Sequence, residues 1–193
     1  MKNSIALIVT ILFLAASFRV AAQEGEGIHW LTPAQAEAKM KERPKKIFID
    51  FYTSWCGWCK KMDAATYSNP SLAKYMNNNF YAIRFDAEMK ESFHFMGKEY
   101  HFDPQYRANT FAVDFLKSQG QWGYPTTVFV MENMENPFVL PGYHVVKEME
   151  FFIRYYGDNI CKHKSQIDYQ KEFVSNWEVV ESPNVTPNMP PMH

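Results

Sequence analysis

The chain has 193 residues, which is enough for one domain of ordinary size and an additional terminal segment. Hydrophobic residues make up 47% of it and aromatic residues 17%, so the bulk of the chain can form a packed core and is not intrinsically disordered. The 20 Lys and Arg against 21 Asp and Glu give a net charge of −1, which argues against a nucleic-acid partner, and 3 Cys are too few for a disulfide-stabilised mini-domain.

Residues 1–22 have the pattern of a secretory signal peptide. Lys2 provides the positive start, an apolar stretch follows, and Val20-Ala21-Ala22 forms a cleavage site, so we expect cleavage after Ala22. The apolar run is shorter than the roughly 20 residues that cross a bilayer, which makes a permanent membrane anchor the weaker alternative. This segment predicts a periplasmic or secreted protein.

The next part of the chain predicts helices and strands in alternation. Its β-branched and aromatic run at 47–52 is typical of a strand that is buried on both faces, and Asp50 is the one charged residue inside it. A strand, a helical crossover and a second strand imply parallel pairing. The predicted elements are a helix opened by Thr32-Pro33 and ended before Pro44, the strand 47–52, the helices 56–66 and 69–75, and the strand 80–85.

The rest of the chain predicts two hairpins and two helices. A hairpin has arms at 93–95 and 100–102, and a helix follows at 104–116. Strands 125–131 and 138–140 form an antiparallel pair, and a helix at 146–156 packs on the sheet. The end of the chain, 181–193, is rich in Pro and Asn, so we expect a flexible tail there.

Cys56 and Cys59 follow the first predicted strand directly and begin the predicted helix. Free backbone N–H groups and the positive dipole at a helix start stabilise a thiolate on Cys56. Cys59 lies one turn later on the same face, so the pair can cycle between dithiol and disulfide. A purely structural disulfide and half of a zinc site are the alternatives, although the sequence has no second Cys-x-x-Cys to complete a tetrahedral zinc site.

The stretch from Asp50 to Lys61, with its Trp55-Cys56-Gly57-Trp58-Cys59 motif, resembles the active-site segment of the thioredoxin superfamily. It is similar in particular to secreted bacterial thioredoxin-like proteins and to the C-terminal domain of the transmembrane thiol:disulfide interchange reductase. The resemblance implies an α/β, thioredoxin-like fold over 28–180, with a central mixed β-sheet and helices on both faces. Residues 87–124 would then be a hairpin-plus-helix insertion before the strand that begins at Pro125.

The resemblance also implies roles for individual residues. Cys56 would be the attacking nucleophile, Cys59 the resolving thiol of the same redox-active disulfide, and Asp50 the proton acceptor for Cys59. Asp50 could instead end the strand in solvent, and the Lys that thioredoxins carry beside this acid aligns with Ala82 here. Pro125 would be a cis proline, rather than an ordinary trans one, in a substrate platform that consists of Trp55, Gly57, Trp58, Tyr124, Pro125 and Thr126.

These features predict a protein thiol-disulfide oxidoreductase that reduces protein disulfides. No His lies between the two cysteines, so one cation fewer stabilises the thiolate, which favours a reductant. A disulfide isomerase or oxidase, and a non-catalytic binding module with a structural disulfide, are the alternatives. The expected partners are client proteins with disulfides or thiols and a membrane thiol reductant as electron donor, with no cofactor and no metal. For Cys161, the third cysteine, we expect a buried, inert thiol.

Overall fold

A computed structural model describes residues 27–117 and 122–177 of the protein. The predicted signal peptide, 1–22, and the predicted tail, 181–193, lie outside these ranges. Within the described ranges, none of the helices has the length and apolar character that a membrane span requires.

The described residues form nine strands and six α-helices. The strands are β1 (Trp30–Leu31), β2 (Lys46–Tyr52), β3 (Phe80–Asp86), β4 (Phe93–Phe95), β5 (Lys98–Tyr100), β6 (Phe102–Asp103), β7 (Ala108–Asn109), β8 (Thr126–Val130) and β9 (Phe138–Pro141). The helices are α1 (Pro33–Glu42), α2 (Gly57–Met62), α3 (Pro70–Asn79), α4 (Thr110–Leu116), α5 (Val146–Gly157) and α6 (Gln166–Glu172), and a π-helical turn, Asp63–Tyr67, continues α2.

Five of the strands form one mixed sheet in the order β1-β3-β2-β8-β9. The central strand β2 pairs parallel with β3 and antiparallel with β8, and all of its residues except Tyr52 are buried. The structure therefore confirms the mixed sheet, the parallel crossover and the two-sided burial that the sequence predicts.

The two faces of the sheet carry separate apolar clusters, because side chains alternate along each strand. Phe48 of β2 packs on one face with residues of α2, α3 and α5. Ile47, Ile49 and Phe51 pack on the other face with residues of α1 and α4. Helices thus cover both faces, as predicted. Since Asp50 is two residues from Phe48, it points to the face that α2, α3 and α5 cover.

Two helices begin where the sequence predicts because their capping residues make the expected bonds. The Thr32 side chain accepts from the Gln35 backbone N–H, the Gln35 side chain accepts from the Thr32 N–H, and the helix ends before Pro44. Asn69 caps α3 in the same way through the Leu72 N–H. However, α3 continues to Asn79, four residues beyond the predicted end.

The insertion between β3 and β8 contains more strand than predicted. Met96 and Gly97 both have positive φ, 52° and 79°, so they form a two-residue turn and the second arm is β5 rather than 100–102. Arg107, with φ of 54°, lies in a second turn between β6 and β7, and the helix begins only after its cap, Asn109. The predicted helix 104–116 is therefore wrong in its first half. Hairpin and helix nonetheless both precede β8.

Some elements were not predicted at all. The edge strand β1 has two residues and pairs with β3, and it is too short to give a periodic pattern. The single helical turn Ile160–Lys162 and the helix α6 lie after α5, between Gly157 and Trp177. Ser165 caps α6 through the Asp168 N–H. Short elements of this kind depend on packing against the rest of the domain.

Candidate active site

Cys56 and Cys59 form a disulfide with an Sγ–Sγ distance of 2.07 Å and a Cα–Cα distance of 5.3 Å. Cys56 is the N-cap of α2, and its Sγ accepts a hydrogen bond from the Cys59 backbone N–H over 3.0 Å. The Cys56 N–H donates to the Thr53 carbonyl over 3.2 Å, so a single turn leads from β2 into the motif. A backbone donor aimed at Cys56 Sγ would stabilise a thiolate at this position once the disulfide is reduced.

Asp50 is buried, with 1% of its surface exposed, so the interpretation that it ends the strand in solvent is wrong. Its Oδ1 accepts a hydrogen bond from the Tyr67 hydroxyl over 3.2 Å, and that hydroxyl also lies 3.2 Å from Thr127 Oγ1. Burial raises the pKa of Asp50 to about 7, although the nearby Arg84 guanidinium and the Tyr67 hydrogen bond both lower it. This carboxyl can therefore exchange a proton near neutral pH.

Arg84 is the cation beside Asp50, and the sequence analysis missed it. The parallel register of β2 and β3 places Arg84 directly opposite Asp50, with Arg84 Nε 3.8 Å from Asp50 Oδ2. Arg84 also forms an ion pair with Asp63, the first residue of the π-helical turn. In this register Ala82 lies opposite Phe48, so the residue beside the acid is Arg84 and not Ala82. Pairing of the two predicted strands would have revealed Arg84, had their register been known.

Tyr67 and Asp63 were missed for a different reason. The sequence predicts one α-helix over 56–66, whereas the structure changes to π-helical bonding at Asp63, where the Ser68 N–H donates to the Asp63 carbonyl. Both residues belong to this turn and both reach the Asp50 region. π-helical turns occur frequently at functional sites, but nothing in their sequence marks them.

The peptide bond between Tyr124 and Pro125 is cis, as the resemblance implies. Pro125 leads directly into β8, and its carbonyl accepts from the Gly142 N–H over 2.8 Å. Thr126 is buried, and its hydroxyl donates to the Gly123 carbonyl over 2.7 Å. These bonds fix the backbone on both sides of the proline.

The two tryptophans of the motif contact different partners. Trp55 is 65% exposed, and its ring meets that of Tyr124 edge-on at 6.1 Å. Trp58 packs instead on Tyr143, with a ring-centroid distance of 5.4 Å, and the Lys61 ammonium lies 5.0 Å from the Trp58 ring centroid. The structure thus brings Trp55 to Tyr124 but places Trp58 elsewhere.

Gly57 and Cys161 complete the predicted set. Gly57 is the first residue of α2 and is exposed. Cys161 has a free thiol and is half-buried rather than fully buried, and burial raises its pKa. In the part of the chain that the structure describes, no group of three or more His, Cys, Asp and Glu residues could hold a metal ion.

The sheet order, the helices on both faces and the Cys56–Cys59 disulfide define a thioredoxin-superfamily protein of the thiol:disulfide oxidoreductase-like type. The chain belongs to the Thioredox_DsbH family, described as a protein of unknown function (DUF255), whose family model matches residues 12–155.

Solved structures show the same fold. A candidate disulphide-isomerase from Bacteroides thetaiotaomicron is similar with a TM-score of 0.51 and 22% identity, covering 74% of this chain and 99% of that one. A thioredoxin-fold protein from Helicobacter pylori has a TM-score of 0.50 and 18% identity, covering 67% of this chain and 80% of that one. At these identities the likeness shows the fold alone.

A curated relative in sequence is the uncharacterized protein B0495.5 of Caenorhabditis elegans. It is 31% identical over 100 residues, which cover 52% of this chain. The match covers only 12% of that longer protein.

Proposed function

We propose that the protein is a secreted thiol-disulfide oxidoreductase that reduces disulfides of client proteins. The observation that carries the proposal is the disulfide of Cys56 and Cys59 at the start of α2, directly after a strand whose buried Asp50 exchanges its proton near neutral pH. A disulfide with a purely structural role needs no titrating carboxyl on the preceding strand. Buried carboxyls with strongly shifted pKa values concentrate at functional sites.

In the proposed reaction the reduced protein donates two electrons to a client disulfide. The Cys56 thiolate attacks one client sulfur, the client S–S bond breaks, and the other client sulfur leaves as a thiolate. Asp50 then accepts the proton of Cys59. The Cys59 thiolate attacks Cys56 Sγ, which releases the second client thiolate and leaves the Cys56–Cys59 disulfide. The client thiolates take protons from water.

The residues around Pro125 are the proposed platform for the client. Trp55 and Tyr124 offer ring surface beside the motif, and Trp55 is largely exposed. The exposed Gly57 leaves room for a client chain, while the bonds of Thr126 and Pro125 hold the loop in place. We include Trp58 in the same platform, on the side where Tyr143 lies. An extended client segment would lie across these groups.

The proposed location and partners follow from the N-terminal segment 1–22 and from the direction of electron flow. A reductase in an oxidising compartment must be reduced again after each turnover, so we expect a membrane thiol reductant as electron donor. The motif has no His between its cysteines, and we therefore expect a reduction potential of roughly −200 to −270 mV.

Insulin reduction with dithiothreitol as electron source tests the proposal. We expect the wild type to accelerate the reaction and Cys56→Ser to abolish the acceleration. Cys59→Ser should trap mixed disulfides with clients, because the resolving thiol is absent. Cys161→Ser is the matched control and should retain activity. A wild type no faster than dithiothreitol alone would indicate a binding module, and a potential near −120 mV would indicate an oxidase.

A further inference from the structure

Arg84 is shared unequally between two carboxylates. Its Nη2 forms an ion pair with Asp63 Oδ2, whereas its Nε lies 3.8 Å from Asp50 Oδ2, which is too far for a hydrogen bond. Nε is buried and makes no hydrogen bond within the described residues. The Arg84 Nε–H therefore lies beside Asp50 without a hydrogen bond, while the Nη2 of the same guanidinium forms the ion pair with Asp63.

The surroundings fix this arrangement. The Tyr52 ring lies 4.6 Å from the guanidinium carbon of Arg84, and the Trp30 ring lies 5.9 Å from it. Among the described residues, the charged or titratable groups that influence the pKa of Asp50 are Arg84 from β3 and Asp63 and Tyr67 from the π-helical turn. The Asp50 side chain is 2% exposed and that of Asp63 is 29% exposed, so Asp63 is the partner that solvent reaches.

We propose that Asp63 is a positioning residue for Asp50 that acts through Arg84. By holding the guanidinium in its own ion pair, Asp63 prevents Arg84 from closing a direct, bidentate pair with Asp50. Such pairs are short and strong, so a closed pair would keep Asp50 ionised throughout the cycle and weaken it as a base.

This inference rests on the proposed function, in which Asp50 takes the proton of Cys59. In that step the S–H bond of Cys59 breaks and an O–H bond forms on Asp50, without electron transfer. Competition between two carboxylates for one guanidinium leaves Asp50 able to bind this proton and to release it again.

The test is an NMR titration of the oxidised protein, which needs no activity. In Asp63→Asn we expect the Arg84 Nε–H to form a hydrogen bond with Asp50, seen as slower exchange with solvent, and the pKa of Asp50 to fall by about one unit. In Arg84→Met the pKa of Asp50 should rise. Asp63→Ser serves as a second variant if Asp63→Asn does not fold. Asp114→Asn, which removes an exposed ion-pair partner of Lys98, is the control and should change neither signal.

The outcomes separate the two proposals. If the Asp50 pKa falls in Asp63→Asn while the Arg84 Nε–H is unchanged, Asp63 acts by direct repulsion and the positioning role is wrong. An unchanged Asp50 pKa also overturns it. In the active protein, the pH profile of mixed-disulfide release should shift downward together with the Asp50 pKa. Failure of insulin reduction by the wild type would refute the proposed function while the NMR result would still stand.

Discussion

Two fully buried carboxylates in this protein, Asp50 and Glu150, behave in opposite ways. Asp50 is 1% exposed and Glu150 is 0% exposed, so burial disfavours the charged form of both. The pKa of Asp50 is nevertheless raised to about 7, while that of Glu150 is lowered. Burial alone therefore does not decide the state of a carboxylate. The supply of hydrogen-bond donors decides it.

Glu150, on α5, receives donors on both of its oxygens. Arg154 Nε donates to Oε1 over 2.8 Å, and the Ser175 hydroxyl donates to Oε2 over 2.5 Å. The backbone N–H groups of Asn176 and Trp177 also donate to it, and these donors outweigh the burial that raises its pKa. Glu150 thus remains ionised and ties the end of the described chain to α5. Its role is structural.

Asp50 has far fewer donors. From the residues that the structure describes, it accepts one hydrogen bond, from Tyr67, and it faces Arg84 without a direct hydrogen bond. The influences that lower its pKa therefore do not offset the effect of burial, and the pKa stays raised. A buried carboxylate with too few hydrogen-bond donors thus marks a site for proton transfer, whereas one with donors on both oxygens has a structural role.

The largest expected effect on stability comes from removing the Glu150 carboxylate, which ties the end of the described chain to α5. Glu150→Ala removes the shared acceptor of four donors, one of them the buried Trp177 N–H, so we expect it to lower the free energy of unfolding by about 3–5 kcal/mol. Urea denaturation at neutral pH measures this. Glu148→Ala on the same helix is the matched control, because Glu148 is 57% exposed and its pair with His144 contributes less than about 1 kcal/mol. Equal losses of stability in Glu150→Ala and Glu148→Ala would contradict the structural role that we assign to Glu150.

Asp50→Asn should have the opposite effect on stability. The folded protein keeps a proton on Asp50 up to about pH 7, whereas the unfolded chain releases it near 3.8. The unfolded state therefore binds fewer protons in this window, and the stability of the wild type falls as the pH rises through it. Asn cannot ionise, so at pH 8 we expect the variant to be more stable by at most about 4 kcal/mol, at about 1.4 kcal/mol per pKa unit.

Denaturation of wild type and Asp50→Asn between pH 4 and pH 8 measures this difference. It should be small at pH 4, where Asp50 is protonated in the folded protein, and should increase toward pH 8. Glu150→Gln should be less stable than the wild type by a nearly constant amount between about pH 5 and pH 8, because a lowered pKa means that the stabilisation by Glu150 is lost only as the pH falls below its ordinary value of 4.5. A difference between wild type and Asp50→Asn that does not change with pH would show that Asp50 does not titrate in this window.

The smallest expected effect concerns the Tyr67 hydroxyl, which donates a hydrogen bond to Asp50. Tyr67→Phe removes a hydrogen bond that favours the ionised carboxylate, so the pKa of Asp50 should rise and stability should fall by about 0.5–1.5 kcal/mol. Carboxyl NMR and urea denaturation measure the two quantities. Tyr155→Phe is the control, because its hydroxyl donates to the Lys164 carbonyl and not to Asp50. A shift of the Asp50 pKa in both variants would contradict the specific role of Tyr67.

Much of the fold follows from local sequence. The buried strand at 47–52, the cysteines that begin a helix and the caps at Thr32 and Asn69 are each encoded within a few residues, through hydrophobic periodicity and side-chain bonds to neighbouring N–H groups. The cis peptide bond at Pro125 was predicted from the resemblance to the thioredoxin superfamily. Turn geometry in the insertion was predicted less well, because positive φ at Met96 and Arg107 is not a property that these residue types favour.

Sequence alone therefore predicts the mixed sheet, the place of Cys56 and Cys59 and the presence of Asp50 in a buried strand. The tertiary structure decided what surrounds that carboxylate. Arg84 reaches it through the register of two strands, and Asp63 and Tyr67 reach it through a π-helical turn. These residues lie 13 to 34 positions away from Asp50 along the chain. Their local sequence pattern does not show which side chains the packed fold brings into contact with one another. The pKa of a buried group depends on those contacts, so it becomes visible only in the folded protein.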